Sequence, residues 1–348
     1  MFVKLEKIQE HIKSATSLYY QNFAKASVSL LLVSALGSFL KAAKNKNVLR
    51  AAFVGDQPYV FSLGEAFPDM GFSFQNGKHC FFANNPTDRI HPFNPIESFD
   101  PKEFDVVFLG DSDPKKEKIL FAQLKEKSPV IIEFQKLNRC FLEVMKDVNR
   151  LNVISCLNPL KMALIASAIY LSPPSGCIIE AGVYLGGTTI FMAKLQDRLQ
   201  LRRPIYALDT FEGMPEPTKK DMGGAFVFTK GMFNDNRQQR VEKCYKKEGV
   251  ESSITLVKGL VQDTLCEVFK KEKSVSFMFL DCDQYAGTKG GLDQAIPLLC
   301  KGGYIIVDDV GVPGVHAAIS EKITELPLLV RKSISHSFDL LFMQQQKK

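Results

Sequence analysis

The chain has 348 residues, more than the roughly 100–200 of a usual single domain, so two domains are expected. With 45% hydrophobic and 24% charged residues, its composition is globular, which excludes a disordered or low-complexity chain. The 44 Lys+Arg against 38 Asp+Glu leave +6, a mild excess carried in mixed runs such as Lys115-Lys116-Glu117-Lys118. Such runs read as solvated helix faces and not as a nucleic-acid footprint.

Residues 1 to about 45 carry a helical pattern, with Ile8, Ile12 and Leu30-Leu31-Leu32 apolar between lysines. The start lacks a secretory apolar region, and the uncharged stretch Ala26 to Leu40 is 15 residues, short of the roughly 20 that span a bilayer. It is expected to be a buried helix. The eight cysteines show no CxxC or Cys/His set at metal spacing, which predicts reduced thiols in a cytoplasmic protein.

From Val48 the period changes. Val48 to Val54 runs into Gly55-Asp56, Phe104 to Leu109 into Gly110-Asp111, and Pro129 to Phe134 follows a charged helical stretch at 113–127. Short apolar runs separated by helix predict buried parallel strands of a small α/β layer. Residues 75–103, with four X-Pro steps, are expected to be irregular. No chemistry is legible here. The predicted organisation is 1–135, a helical segment plus a small α/β domain; 136–154, a helical connector; and 155–348, a second domain.

In the second domain the alternation is cleaner. Strands are predicted at Cys177–Ala181, Ile205–Leu208, Ile254–Val257, Val275–Leu280 and Tyr304–Val307, with helices between most of them. A closing antiparallel pair is predicted at Leu328–Ser335 and Phe338–Met343. The pattern predicts a Rossmann-like doubly wound sheet with a reversed last strand, whose ligands bind at the carboxyl ends of the strands.

At the first strand end, Glu180-Ala181-Gly182-Val183-Tyr184-Leu185-Gly186-Gly187 is a glycine loop opening a helix; its spacing is not GxGxxG, which disfavours a dinucleotide. At the second, Asp209 in Asp209-Thr210-Phe211-Glu212-Gly213 stands where a carboxylate accepts ribose hydroxyls, or else caps a helix. At the third, Asp263-Thr264 either reaches a nucleobase edge or caps the following helix. At the fourth and fifth, Leu280-Asp281-Cys282-Asp283 and Val307-Asp308-Asp309 place four acids on adjacent strand tips. Unless they serve as helix caps, four such carboxylates call for a cation, and all-oxygen donors select a hard one such as Mg²⁺. The segment Glu216 to Asn236 is either a mobile lid or a surface insertion.

These motifs, in this order over about residues 155 to 345, resemble the macrocin O-methyltransferase family of sugar O-methyltransferases dependent on S-adenosylmethionine (SAM) and Mg²⁺. The resemblance rests on E-x-G-V-x-x-G-G at 180–187, D-T-F-E-G-M-P at 209–215, G-x-x-x-D-T-L at 259–265, L-D-x-D-x-Y at 280–285 and G-G-Y-I-I-V-D-D at 302–309. It implies a class I methyltransferase fold. It assigns SAM to Glu180, Ala181, Gly182, Val183, Tyr184, Asp209, Thr210, Phe211, Glu212 and Gly213, with Asp263 and Thr264 beside it. Asp281, Asp308 and Asp309 would hold Mg²⁺ and Asp283 would be the general base. The chain departs from the family at Tyr184, where Trp is common, at Gln284 and Ala286-Gly287-Thr288, and in its long N-terminal part. The expected acceptor is a sugar or other polyhydroxylated small molecule or glycan, with no nucleic acid, no integral membrane span and a homo-oligomer open. The competing readings are an NAD(P) oxidoreductase using the first domain, and a non-catalytic binding or scaffold protein with a vestigial methyltransferase half.

Overall fold

The structure is a computed structural model that describes residues 32–44, 46, 49–55, 72–73, 81–82, 99–111, 113–125, 130–150, 155 and 157–343, apart from 225–226, 236, 327–328 and 335–337. Most of the irregular stretch expected at 75–103, the start of the N-terminal helix and the turn between the last two strands lie outside the described residues. Residues 32–44 are helical and bury Leu32, Leu36, Phe39 and Leu40. Among the described residues no helix is long and apolar enough to cross a membrane.

The first sheet comprises β1 (Leu49–Val54), β2 (Phe72–Ser73), β3 (Phe81–Phe82), β4 (Val106–Leu109) and β5 (Ile131–Glu133). Its main path is β2-β1-β4-β5, with β3 also on β1, and the described pairs are parallel. β1 and β4 are buried nearly throughout, which is why they read as unbroken apolar runs.

The second sheet comprises β6 (Cys177–Ala181), β7 (Ile205–Asp209), β8 (Ile254–Lys258), β9 (Val275–Leu280), β10 (Leu299–Val307), β11 (Leu329–Ser333) and β12 (Asp339–Met343), in the order β11-β12-β10-β9-β6-β7-β8. β6 to β10 are mutually parallel; β12 runs antiparallel between β10 and β11. This is the Rossmann-like sheet with a reversed last strand that the sequence pattern predicts. The strand order reverses between β6 and β9, and such switch points open a crevice at the carboxyl ends of the strands.

One apolar core runs through both sheets. The helix Phe134–Arg150 carries it: Leu137, Phe141, Val144 and Val148 form a buried stripe at helical spacing. Phe134 meets Phe108 of β4 edge-on at 6.0 Å, and Phe141 meets Phe191 of the helix Gly187–Leu199 at 6.0 Å. Arg198 of that helix bonds Asp147 at 2.6 Å and Glu143 at 3.3 Å. Phe39 packs edge-on against Tyr304 of β10 at 4.6 Å. Residues 136–150, expected as a connector, are thus a packing element shared by the two sheets.

Candidate active site

Strand register assembles the site. Ala181 pairs with both Leu208 and Leu280, and Leu280 pairs with Val307. The next residues, Gly182, Asp209, Asp281 and Asp308, therefore fall in one row across four strand tips. The ladder continues there, with Gly182 N donating to Leu208 O at 2.9 Å, Asp281 N to Ala181 O at 2.8 Å and Asp308 N to Leu280 O at 3.0 Å. Gly182 has φ +93, and a Cβ there would stand 1.7 Å from the Asp281 carbonyl oxygen, so only glycine lets the two tips meet.

Above this row lies a cavity of about 390 Å³, within the usual size of small-molecule sites. Of the six non-glycine residues with positive φ among those described, Tyr184, Phe233, Asp283 and Asp309 line it. Left-handed backbone at non-glycine positions is costly and gathers at functional sites.

Asp209 joins the first two loops. Its Oδ2 accepts from Val183 N at 2.8 Å and Tyr184 N at 3.0 Å, and its Oδ1 from Phe211 N at 2.8 Å. The helix Gly187–Leu199 starts from Gly186 with no side-chain cap, and Gly187 and Thr188 face the cavity. Its first amides are a site suited to an anionic group. Glu180, also in the lining, is buried, and burial pushes its carboxyl up to about 8 against a lowering bond from the Thr189 hydroxyl.

Of the residues assigned by resemblance to SAM, Glu180, Gly182, Val183, Tyr184, Asp209, Thr210 and Gly213 line the cavity. Ala181, Phe211, Glu212, Asp263 and Thr264 do not. Ala181 and Phe211 are buried in the core, and Glu212 points outward to Lys258 at 2.7 Å. Asp263 and Thr264 lie in the first turn of the helix Val261–Lys271, where the Thr264 hydroxyl donates to Leu260 O at 2.8 Å. Gly259, Leu260, Val261 and Gln262, just before them, take the cavity wall instead.

The four acids Asp281, Asp283, Asp308 and Asp309 all line the cavity. Desolvation and the neighbouring carboxylates push Asp281 and Asp283 well above the usual carboxylate range. Asp308 is raised by burial, against the pull of Lys161. The Lys161 ammonium lies 2.7 Å from each Asp308 oxygen. Sequence reasoning missed this lysine, since it stands on the helix Pro159–Leu171, 147 positions away from Asp308. Among the described residues no three Asp, Glu, His or Cys side chains are gathered so as to hold one metal ion. The donor chemistry nonetheless fits a hard cation: the donors are carboxylate oxygens whose crowding calls for positive charge.

The described residues of the segment following Gly213 form one wall of the cavity. Met214 N donates to Met232 O at 2.8 Å and Gly231 N to Met214 O at 2.9 Å. Gln284 Nε2 donates to Pro215 O at 3.1 Å and Phe228 O at 2.9 Å, and buried Asp221 accepts Tyr285 N at 2.6 Å. Met214, Pro215, Phe228 and Phe233 face the cavity, and Phe233 meets Tyr184 edge-on at 5.3 Å. His316 is exposed beside Ser320.

Residues 160–325 match the macrocin-O-methyltransferase (TylF) family model. This segment resembles that family. The mycinamicin III 3''-O-methyltransferase of Micromonospora griseorubida is 26% identical over 153 residues, 42% of this chain and 59% of the relative. The 8-demethyl-8-(2,3-dimethoxy-alpha-L-rhamnosyl)-tetracenomycin-C 4'-O-methyltransferase of Streptomyces olivaceus is 28% identical over 152 residues, 42% of this chain and 57% of the relative. The chain thus spans less than two thirds of the length of these curated relatives. The structure of the O-methyltransferase NovP has a TM-score of 0.43 and 20% identity, covering 61% of this chain and 81% of that one.

Proposed function

We propose that the segment resembling the macrocin-O-methyltransferase family transfers a methyl group from SAM to a hydroxyl of a sugar or other polyhydroxylated acceptor, assisted by a divalent cation. The observation that carries this reading is the row of strand tips, which brings the glycine loop, Asp209 and four acids to one cavity. The family match and the two sugar-related relatives support it.

SAM would supply an electrophilic methyl group, and a divalent cation would lower the pKa of an acceptor hydroxyl and fix its position. The ion's ligands would come from Asp281, Asp308 and Asp309. Asp209 and the Gly182–Tyr184 loop would hold the nucleoside end, and the uncapped amides from Gly187 onward would take the amino-acid carboxylate. Asp283, held at φ 58 beside Asp309, would accept the hydroxyl proton as that oxygen bonds the methyl carbon and the bond from that carbon to the sulfonium sulfur breaks, leaving a neutral thioether. Phe228, Phe233 and Tyr184 would exclude water from the reacting atoms.

The test is incubation with methyl-labelled SAM and fractionated extract of the source cells, with and without EDTA. Label is expected in an alkali-stable ether of a polyhydroxylated product, lost with EDTA and restored by Mg²⁺. Label in protein, nucleic acid or no product at all would defeat the reading.

A further inference from the structure

Resting on the reading of Asp283 as the base, we propose that Gln284 and Asp221 are positioning residues. Together they hang the aromatic wall of the cavity from the turn that carries Asp283, and so set where an acceptor hydroxyl stands against that carboxylate.

Asp283 sits in a turn that needs support. Gln284 N donates to Cys282 O at 2.6 Å, which closes a three-residue turn with Asp283 at its centre at φ 58. A three-residue turn with positive φ is the rare, strained form, and such strain persists only where the surroundings fix it. The Gln284 side chain is buried, and a buried primary amide has two N–H groups to place. Both go to the wall: Nε2 donates to Pro215 O at 3.1 Å and to Phe228 O at 2.9 Å. One amide thus draws together two parts of the segment that are far apart along the chain.

Asp221 holds the same segment from between those points. It is buried; its Oδ1 accepts the Tyr285 N–H at 2.6 Å, and its Oδ2 accepts the N–H and the hydroxyl of Thr218, each at 2.7 Å. The helix Tyr285–Ala295 has no side-chain cap from Gln284, the residue before it. Asp221 supplies that cap from the wall, at a helix start where a carboxylate is favoured. A Cβ on Gly314, in the first turn of the helix Pro313–Glu325, would stand 1.8 Å from Asp221 Oδ1, so this helix closes tightly over the carboxylate.

The consequence is a fixed spacing across the cavity. Phe228 carries one of the carbonyls that Gln284 holds, and its ring lies 6.2 Å from that of Phe233; both line the cavity with Asp283. Wall and base therefore share one anchor, the turn at 282–285. A base must come within about 2.6–3.2 Å of the oxygen whose proton it takes, and a misplacement of about 1 Å can cost on the order of 10²-fold in rate. The loop proposed to hold SAM is tied separately, through Asp209 to Val183 N and Tyr184 N, so loosening the wall should spare SAM.

The test uses the full chain. Gln284→Met removes both donors at similar length. Gln284→Asn is one methylene shorter, keeps a donor and guards against misfolding. Asp221→Ala removes the cap, and Asp221→Asn keeps an acceptor oxygen for Tyr285 N. Each is compared with wild type by hydrogen–deuterium exchange of residues 214–233, by calorimetry with SAM, and by single-turnover transfer from labelled SAM to the extract fraction that wild type labels. Gln284→Met and Asp221→Ala are expected to speed exchange in 214–233 at least tenfold and to keep SAM affinity within threefold. Their transfer rate is expected to fall at least tenfold, a loss that more of the fraction does not recover. Gln284→Asn is expected to fall between Gln284→Met and wild type, and Asp221→Asn to return exchange and rate to within threefold of wild type. Unchanged exchange, an unchanged rate, a loss recovered at higher fraction concentration, or a tenfold loss of SAM affinity overturns the proposal. Failure of wild type to label any fraction would defeat the proposed function; the exchange comparison would still decide whether Gln284 and Asp221 hold the wall.

Discussion

The two parallel sheets of this chain meet at one helix, and their strand tips differ in how charge is satisfied. At the tips of the first sheet the backbone is closed: a Cβ on Gly55, at φ +144, would stand 2.2 Å from Gly110 O, and Asp111 accepts Asp113 N at 2.9 Å. The acid beneath β4, Asp105, is matched by Lys46 at 2.6 Å and by the Arg50 backbone N–H at 3.0 Å. At the tips of the second sheet four acids face one another around a cavity, with Lys161 on one of them. Among the described residues the first sheet thus has beside it one buried carboxylate held above its usual range, Glu117, pushed up to about 7 by burial and by Glu133 at the end of β5, whereas the second gathers four acids around a cavity. Several crowded acids around one cavity, more than fold or a single buried acid, mark the site.

The sharpest way to break the comparison is to remove the proposed base. Asp283→Asn is expected to lower kcat by about 10²–10⁴-fold with SAM affinity retained, read by single-turnover methyl transfer and calorimetry. The joint between the sheets comes next. Phe141→Ala empties a fully buried aromatic site against Phe191 and is expected to cost about 3–5 kcal/mol in denaturant unfolding.

The two sheets should also answer pH with opposite signs. Glu180 in the second sheet is raised from 4.5 to about 8, so its folded form holds the proton more tightly. Its contribution is complete below pH 4.5 and is lost as pH rises toward 8, by roughly 5 kcal/mol at most. Glu180→Gln is therefore expected to gain stability relative to wild type at pH 9 and to gain little at pH 5. Burial raises Asp105 in the first sheet, but Lys46 and Arg50 outweigh it and bring the carboxyl from 3.8 down to about 2. Its contribution is present above pH 3.8 and lost as pH falls toward 2. Because both cations are nearly half exposed, Asp105→Asn is expected to cost only about 1 kcal/mol at pH 7, and the loss should vanish near pH 2. Smallest of all, Lys270→Ala removes an exposed i,i+3 pair with Glu267 and should leave the melting temperature unchanged.

Much of the second sheet was legible because its strands are buried on both faces. Continuous runs such as Val275–Leu280 carry their own boundaries, and the acids follow immediately after. Register then placed the tips in a row, which strand position alone anticipates. Two features were not legible. The role of the helix Phe134–Arg150 depends on which residues meet its apolar stripe, and a stripe does not name its partner. Lys161 was invisible because an ion pair spanning 147 positions leaves no local pattern. The choice between Asp263-Thr264 and residues 259–262 turned on where the helix Val261–Lys271 begins, a boundary that propensity sets only to within a few residues.

The central claim is that the second sheet's strand tips form a SAM site. Calorimetric titration of the intact protein with SAM, and in parallel with NADH, tests it most directly. Saturable binding of one SAM per chain, weakened by Asp209→Ala and matched by no heat from NADH, is the predicted result. NADH binding without SAM binding, or no binding of either, would contradict it.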